Sequence, residues 1–311
     1  MYSYAPTSDC NPTKCPLVVA LGCFDGVHLG HRRLLACAKE QATALGLPLL
    51  VYSPESKKGQ AFLSTPDEKR ALLGSLGANA VVLADFDAIK GLLPEEFVQK
   101  ILIGQLDCRI AVCGYNFSFG KMASGNADTL RQLMEAQGRA ALVQPPVDQD
   151  GEPVSSTRIR SLLSAGQIEQ ANCLLCRPYS LSGKVSHGRA IGRTLGFPTV
   201  NLPFLSGKLP PRAGVYYSRV RTGDSCHAAV TNIGVRPTFK DVSAAPTLEA
   251  HLLDFSGDLY EKEIVVELVR FLRPERAFTD PMALKEAVMR DIESAKQLAA
   301  QDSILIKTES I

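Results

Sequence analysis

At 311 residues the chain is long enough for two domains of ordinary size, because a single hydrophobic core stops growing near about 250–300 residues. Hydrophobic residues make up 45% and charged residues 21%, which excludes a disordered chain. Lys and Arg total 34 against 32 acidic residues, so a formal net charge of +2 argues against a polyanion binder, and no nucleic-acid partner is expected.

Residues 1–16 contain no basic start leading into an apolar run, and no stretch reaches about 18 uninterrupted apolar residues. A cytoplasmic protein with no membrane partner is expected. Nine cysteines, several in apolar sequence surroundings (Cys23, Cys37, Cys113, Cys173), fit a reducing compartment. The C-x-x-C at Cys173–Cys176 lacks a second pair and reads as two thiols at a helix end.

From residue 17, strand-length apolar runs alternate with helix-like segments: "LVVALG", "HRRLLACAKEQATALG", "PLLVYS", "TPDEKRALLGSLG", "AVVLADF", "LPEEFVQKILIGQL", "RIAVCG", "ADTLRQLMEAQG" and "AALVQ". This alternation predicts a Rossmann-like parallel α/β sheet flanked by helices. One helix start is well marked, with Thr65 as cap, Pro66 at the first position and Glu68 closing a capping box. Near "CRPYSLSG", residues 176–183, the pattern changes to closely spaced short strands, which predicts a small antiparallel β-barrel or sandwich. A final helix is expected from Pro281, capped by Asp280, with Leu284, Val288, Ile292 and Ala295 on one face. The expected domains are residues 1–178 and 179–311.

Two segments carry chemistry. In "GCFDGVHLGHRRLL" a strand hands over to a helix, whose start offers free N–H donors and the positive end of the dipole to a phosphate. His28 and His31, three apart across the first turn, can address one anion; Gly30 leaves room for it, and Gly22 and Gly26 permit a tight turn. Further on, "GKVSHGRAIGRTLGFPTVNL" holds Gly188, Gly192 and Gly196 with Arg189 and Arg193, a possible backbone cradle for phosphates. It is not a P-loop, since no G-K-[ST] follows.

These residues carry a resemblance. "GCFDGVHLGH" resembles the nucleotidyltransferase signature, "VSSTRIR" at 154–160 its S-S-T-x-I-R motif, and "GYNFSFGKMASGN" at 114–126 a further landmark of the flavin-adenylating branch. The glycine-rich run resembles the riboflavin kinase signature, followed in order by "GVYY", "TNIGVRPTF", "LEAHLLDFSGDLY" and "FLRPERAF". Together they resemble the prokaryotic bifunctional riboflavin kinase/FMN adenylyltransferase (FAD synthetase) family over about residues 17–300.

The resemblance implies an adenylyltransferase domain followed by a riboflavin kinase barrel with a C-terminal helix. Riboflavin, FMN and ATP would be substrates, FAD the product and Mg²⁺ the metal. It implies catalytic roles for His28 and His31, and nucleotide binding by Gly22, Phe24, Asp25, Gly30, Asn116, Ser156, Thr157 and Arg160. In the kinase half it implies nucleotide binding by Gly188, Gly192, Arg193 and Gly196, Mg²⁺ ligation by Thr199 and Asn201, and Glu249 as general base. Small molecules are the expected partners, and the oligomeric state stays open.

The chain departs from the family pattern at "VYSPESKKGQAF", residues 51–62, where a F-x-P-H-P segment is usual, and at "PTVN", where P-T-A-N is usual. Two rival readings follow: a kinase with a degraded first domain, and a flavin-sensing protein without turnover.

Overall fold

The computed structural model describes residues 3–6, 15–54, 61–186, 197–235, 246–278 and 280–308. The chain divides into two units, Met1–Ser156 and Thr157–Ile311. The division lies upstream of the boundary expected at 178/179, and the physical reason is the attachment of two helices to the second unit, described below.

The first unit is built on a six-stranded sheet. Its strands are β1 (Ser3–Pro6), β2 (Leu17–Leu21), β3 (Leu49–Pro54), β4 (Ala80–Ala84), β5 (Cys108–Gly114) and, after one short pair of strands, β8 (Ala140–Gln144), in the order β1-β4-β3-β2-β5-β8. All neighbours are parallel except β1 with β4. The small pairs are β6 (Ser118–Phe119) with β7 (Gly125–Asn126), and β9 (Asp148–Gln149) with β10 (Glu152–Pro153). Central strands such as β2 are buried along their whole length, as expected where helices cover both faces.

One face packs Val18, Ala20 and Val51 against α1 (Leu29–Leu45) and α2 (Pro66–Ser75). The other packs Leu21, Tyr52 and Val82 against α5 (Ala127–Glu135) and the segment 94–105. In that segment the single turn α4 (Pro94–Glu96), which follows the short α3 (Phe86–Ile89), runs into π-helix, Phe97–Gln105, where an ordinary helix was expected. The capping box at Thr65 and Glu68 forms as expected. The strand β1 carries no alternating or apolar pattern and was not anticipated.

In the second unit α6 (Ser156–Ala165), from Thr157 on, and α7 (Ile168–Leu175) precede a second six-stranded sheet. Its strands are β11 (Tyr179–Lys184), β12 (Val200–Pro203), β13 (Gly214–Thr222), β14 (Ser225–Val235), β15 (Pro246–Leu252) and β16 (Glu263–Pro274), ordered β11-β16-β13-β14-β15-β12 and antiparallel throughout. The edges meet where Ser186 N–H donates to the Asn201 carbonyl at 2.9 Å, so the sheet nearly closes into a barrel. The C-terminal helix α8 (Pro281–Thr308), whose first amides are accepted by the Asp280 carboxylate, lays Ile292 and Ala295 over Val215, Tyr217 and Val230 on the outer face of β13 and β14. Arg273 of β16 grips Asp291 of α8 through Nε and Nη2 at 2.8–3.2 Å.

Both early helices are tied to this sheet. Asn172 of α7 donates to the Leu268 carbonyl at 2.8 Å and accepts from Tyr179 N–H at 2.7 Å. Arg212 N–H donates to the Leu163 carbonyl of α6 at 2.9 Å, and Glu169 pairs with Arg270 at 3.1 Å.

Among the described residues the cysteines are free, but Cys23 and Cys173 are exposed, contrary to their apolar sequence surroundings; Cys108 and Cys113 are buried. Among the described residues no helix is long and apolar enough to cross a membrane.

Candidate active sites

In the first unit the chain leaves β2 for β3 on one side while β5 lies on the other, so the sheet order reverses between β2 and β5. Ligands of open parallel sheets bind at the carboxyl ends of strands at such a switch point. Leu21 lies opposite Cys113, which brings the loop after β2 and the turn after β5 to one edge. The first loop carries His28 and His31; the second carries Asn116, exposed, with Gly114 beside it, where a Cβ would stand 3.3 Å from the Asn116 Oδ1.

The β2–α1 loop holds an unusual backbone. Phe24 has φ 47°, Gly26 φ 81° and Val27 φ 43°. The two non-glycine residues accept the left-handed region because their side chains are buried in the core. Gly22 lies close beneath Phe24, where a Cβ would stand 3.3 Å from the ring and press on it. Asp25 is also buried, its carboxylate accepting from Leu63 N–H at 2.9 Å and Ser64 N–H at 3.1 Å, while its carbonyl accepts from Ser156 Oγ at 2.9 Å.

His28 caps α1, its Nδ1 accepting from His31 N–H at 3.4 Å. Accepting there leaves Nε2 to carry the proton of the neutral ring. The ring is 6% exposed and stacks on His31 with centroids 3.6 Å apart and planes 18° from parallel. Gly30 leaves room beside the stack, for a Cβ would stand 3.2–3.3 Å from the His28 ring. His31 Nδ1 is buried with no hydrogen-bond partner among the described residues. Burial first, then the neighbouring His28 and Lys69, hold the His31 pKa well below its usual value. The first turn of α1 carries no acidic residue, so nothing there offsets the positive helix end. His31 is therefore held neutral, stacked on His28 at an electropositive helix start.

Of the S-S-T-x-I-R residues, Ser156 touches the loop as described. Thr157 and Arg160 lie in the first turns of α6, in the second unit.

The second unit brings another set together. Asn201 of β12 lies opposite Glu249 of β15, which in turn lies opposite Asn232 of β14. Directly opposed residues share a sheet face, so these three side chains form one row. The flanking rows, Leu202–Leu248–Ile233 and Val200–Ala250–Thr231, use the other face, where all but Val200 are buried. Thr199 stands two residues before Asn201. The segment is held from β15, where His251 Nδ1–H donates to the Pro198 carbonyl at 2.8 Å while Phe197 sits edge-on to the ring. Gly188, Arg189, Gly192, Arg193 and Gly196 lie outside the described residues.

Sequence reasoning passed over Lys69 and Ser53 behind the first loop and Asn232 in the second site, and it gave His251 a structural role only. Asn232 stood within a noted landmark; Lys69 was hidden in "TPDEKR", which reads as a solvated helix start.

The two halves match two known families: a model described as FAD synthetase covers residues 10–158, and one described as riboflavin kinase covers residues 175–299. The bifunctional riboflavin kinase/FMN adenylyltransferase of Pseudomonas fluorescens is 36% identical over 91% of this chain and 93% of its own length. The chain belongs to the bifunctional riboflavin kinase/FMN adenylyltransferase family. The relative of the same description from Bacillus subtilis is 32% identical over 89% of this chain and 91% of its own. A crystal structure titled a macrolide-efflux protein from Streptococcus pneumoniae, 28% identical, shares the architecture over 94% of this chain and 97% of its own, with a TM-score of 0.84. Family membership thus spans both sites, and the stacked histidines and the Asn201–Glu249–Asn232 row each fall within their matching half.

Proposed function

We propose that the chain converts riboflavin to FAD in two steps at two separate centres. In the second unit the riboflavin 5′-hydroxyl attacks the γ-phosphorus of ATP, its proton passes to Glu249, and ADP leaves with FMN as the other product. In the first unit a phosphate oxygen of FMN attacks the α-phosphorus of a second ATP, and pyrophosphate leaves with FAD formed.

The adenylyl step needs positioning and charge stabilisation rather than a covalent nucleophile. His28 and His31 hold the phosphates at the α1 start, with Asn116 across the edge. Ser156, bound to the Asp25 carbonyl of the same loop, serves the same nucleotide. Gly22, Phe24, Asp25 and Gly30 act through the shape of the loop: the first three build the turn, and Gly30 leaves room beside the histidine stack.

Thr199 and Asn201 suit Mg²⁺ as hard, neutral oxygen donors beside Glu249. Among the described residues no group of three or more His, Cys, Asp or Glu could hold a metal by itself, so the ion would complete its shell from ATP phosphates and water. Bound there, it would neutralise charge on the transferred phosphate. Gly188, Gly192, Arg193 and Gly196 would contribute to the same ATP. These centres call for small-molecule substrates and for the cytoplasm, where ATP is abundant.

The observation that carries the two-step reading over a kinase-only one is the His28–His31 stack, intact at the sheet's switch point despite the missing F-x-P-H-P segment. Incubation with riboflavin, ATP and Mg²⁺ followed by separation of the flavins tests it. FAD is expected. FMN alone would leave only the kinase, and unchanged riboflavin would leave a binding protein.

A further inference from the structure

Lys69, in the first turns of α2, is charged where charge is costly. It is 4% exposed, and its Nζ donates to the Cys23 carbonyl at 2.9 Å and to Ser53 Oγ at 3.3 Å. Ser53 Oγ donates to the same carbonyl at 2.8 Å. One carbonyl of the β2–α1 loop therefore receives two donors, from the end of β3 and from α2. The ammonium supplies the stronger bond, since charge-assisted hydrogen bonds are about twice as strong as neutral ones.

The clamped peptide leads directly into Phe24, at φ 47°, the first of the strained residues of the loop. Such conformations persist only where the surroundings over-determine them. The Phe24 ring lies 5.1 Å from that of His31, which stacks on His28. Stability alone does not call for an ammonium here, because a well-packed apolar chain in place of a buried charge is often neutral or stabilising.

The geometry points to Lys69 as the positioning residue of the adenylyl-transfer centre: with Ser53 it clamps the Cys23 carbonyl and, through Phe24, keeps the histidine pair in reactive register. Its charge also helps keep His31 neutral, after burial and His28. The inference deepens the assignment of the first centre and rests on it.

The test uses the full chain with three changes, Lys69→Met, Ser53→Ala and the double change His28→Ala/His31→Ala, assayed for FAD formation and, as an internal control, for riboflavin phosphorylation. Lys69→Met should lower kcat for FAD formation about thirtyfold or more, with the KM for ATP within about twofold and phosphorylation unchanged, the pattern of lost orientation rather than lost binding. An unchanged kcat, or a loss confined to the ATP KM, would overturn the role. If Lys69→Met removes the thermal transition of the first unit, Ser53→Ala decides, because it deletes one donor and keeps the ammonium. A drop of about threefold to tenfold in kcat at constant KM supports the clamp, and full kcat overturns it. Full FAD formation by Lys69→Met beside an inactive double-histidine variant refutes the clamp alone; full formation by both refutes the centre with it.

Discussion

Two imidazoles stacked at 3.6 Å, one of them buried beside an ammonium, are poorly placed to gain a positive charge. The folded pKa of His31 lies below the unfolded value near 6.5, so the unfolded chain binds more protons between the two values. The stabilisation from its neutral form is complete above that unfolded value and is lost as pH falls toward the folded one. Thermal unfolding between pH 7.5 and 5.5 should thus show a steeper acid-side loss for the native chain than for His31→Gln; parallel profiles would place the acid sensitivity elsewhere. In the reaction, His28→Ala with His31→Ala should reduce FAD formation by several orders of magnitude, at about 10²–10³ per lost donor, with FMN formation nearly intact. Full FAD yield would remove both rings from the mechanism. At the other centre Glu249→Gln keeps the row with Asn201 and Asn232 but cannot accept a proton. FMN formation should fall about a hundredfold, while FAD formation from supplied FMN persists. A full phosphorylation rate would mean that proton removal lies elsewhere.

Elements differ in how firmly they hold the site-bearing sheets, and α7 does so through one side chain. Asn172 answers both a carbonyl of β16 and an amide of β11. Asn172→Ala should destabilise the second unit by about 1–3 kcal/mol, read from urea unfolding, with riboflavin phosphorylation unchanged below the transition. A stability within error of the native chain would show that water replaces both bonds. This double role could not be read from the sequence, where α7 was noted only for its cysteines. Elements whose pattern is local were legible: the apolar β2, the Thr65–Glu68 box and the Asp280 cap announce themselves within a few residues. What depends on chain distant in sequence was not. Glu249 is seated between Asn201 and Asn232 by the register of three strands, and Lys69 is buried by a loop some 46 residues away. The histidine spacing and the family motifs pointed to the segments proposed as the two centres; the Lys69–Cys23 bond and the Asn201–Glu249–Asn232 row appeared only with the fold.

At the scale of the molecule, the two activities occupy two units, and the place to cut between them is set by what each unit must keep. A fragment beginning at residue 179 would start on β11 and discard α6 and α7. It would forfeit the Asn172 bonds, the Arg212 bonds to α6 and the Glu169–Arg270 pair, and it would bare the sheet surface that α7 covers. The discarded helices carry Ile159, Leu163, Ile168, Ala171, Leu174 and Leu175, all buried, so their removal exposes an apolar patch of the kind that promotes aggregation. A fragment beginning at Thr157 keeps all of these, is of ordinary domain size and retains every residue assigned to the kinase. We therefore expect 157–311 to be soluble, to unfold cooperatively and to phosphorylate riboflavin, and 179–311 to be less stable or to aggregate, with size-exclusion chromatography, thermal unfolding and FMN formation as the measurements. Equal stability of the two fragments would show that α6 and α7 are only a tether. A folded 157–311 that consumes no ATP with riboflavin would show that the kinase centre draws on residues before Thr157, and the units would then be separable in structure but not in chemistry.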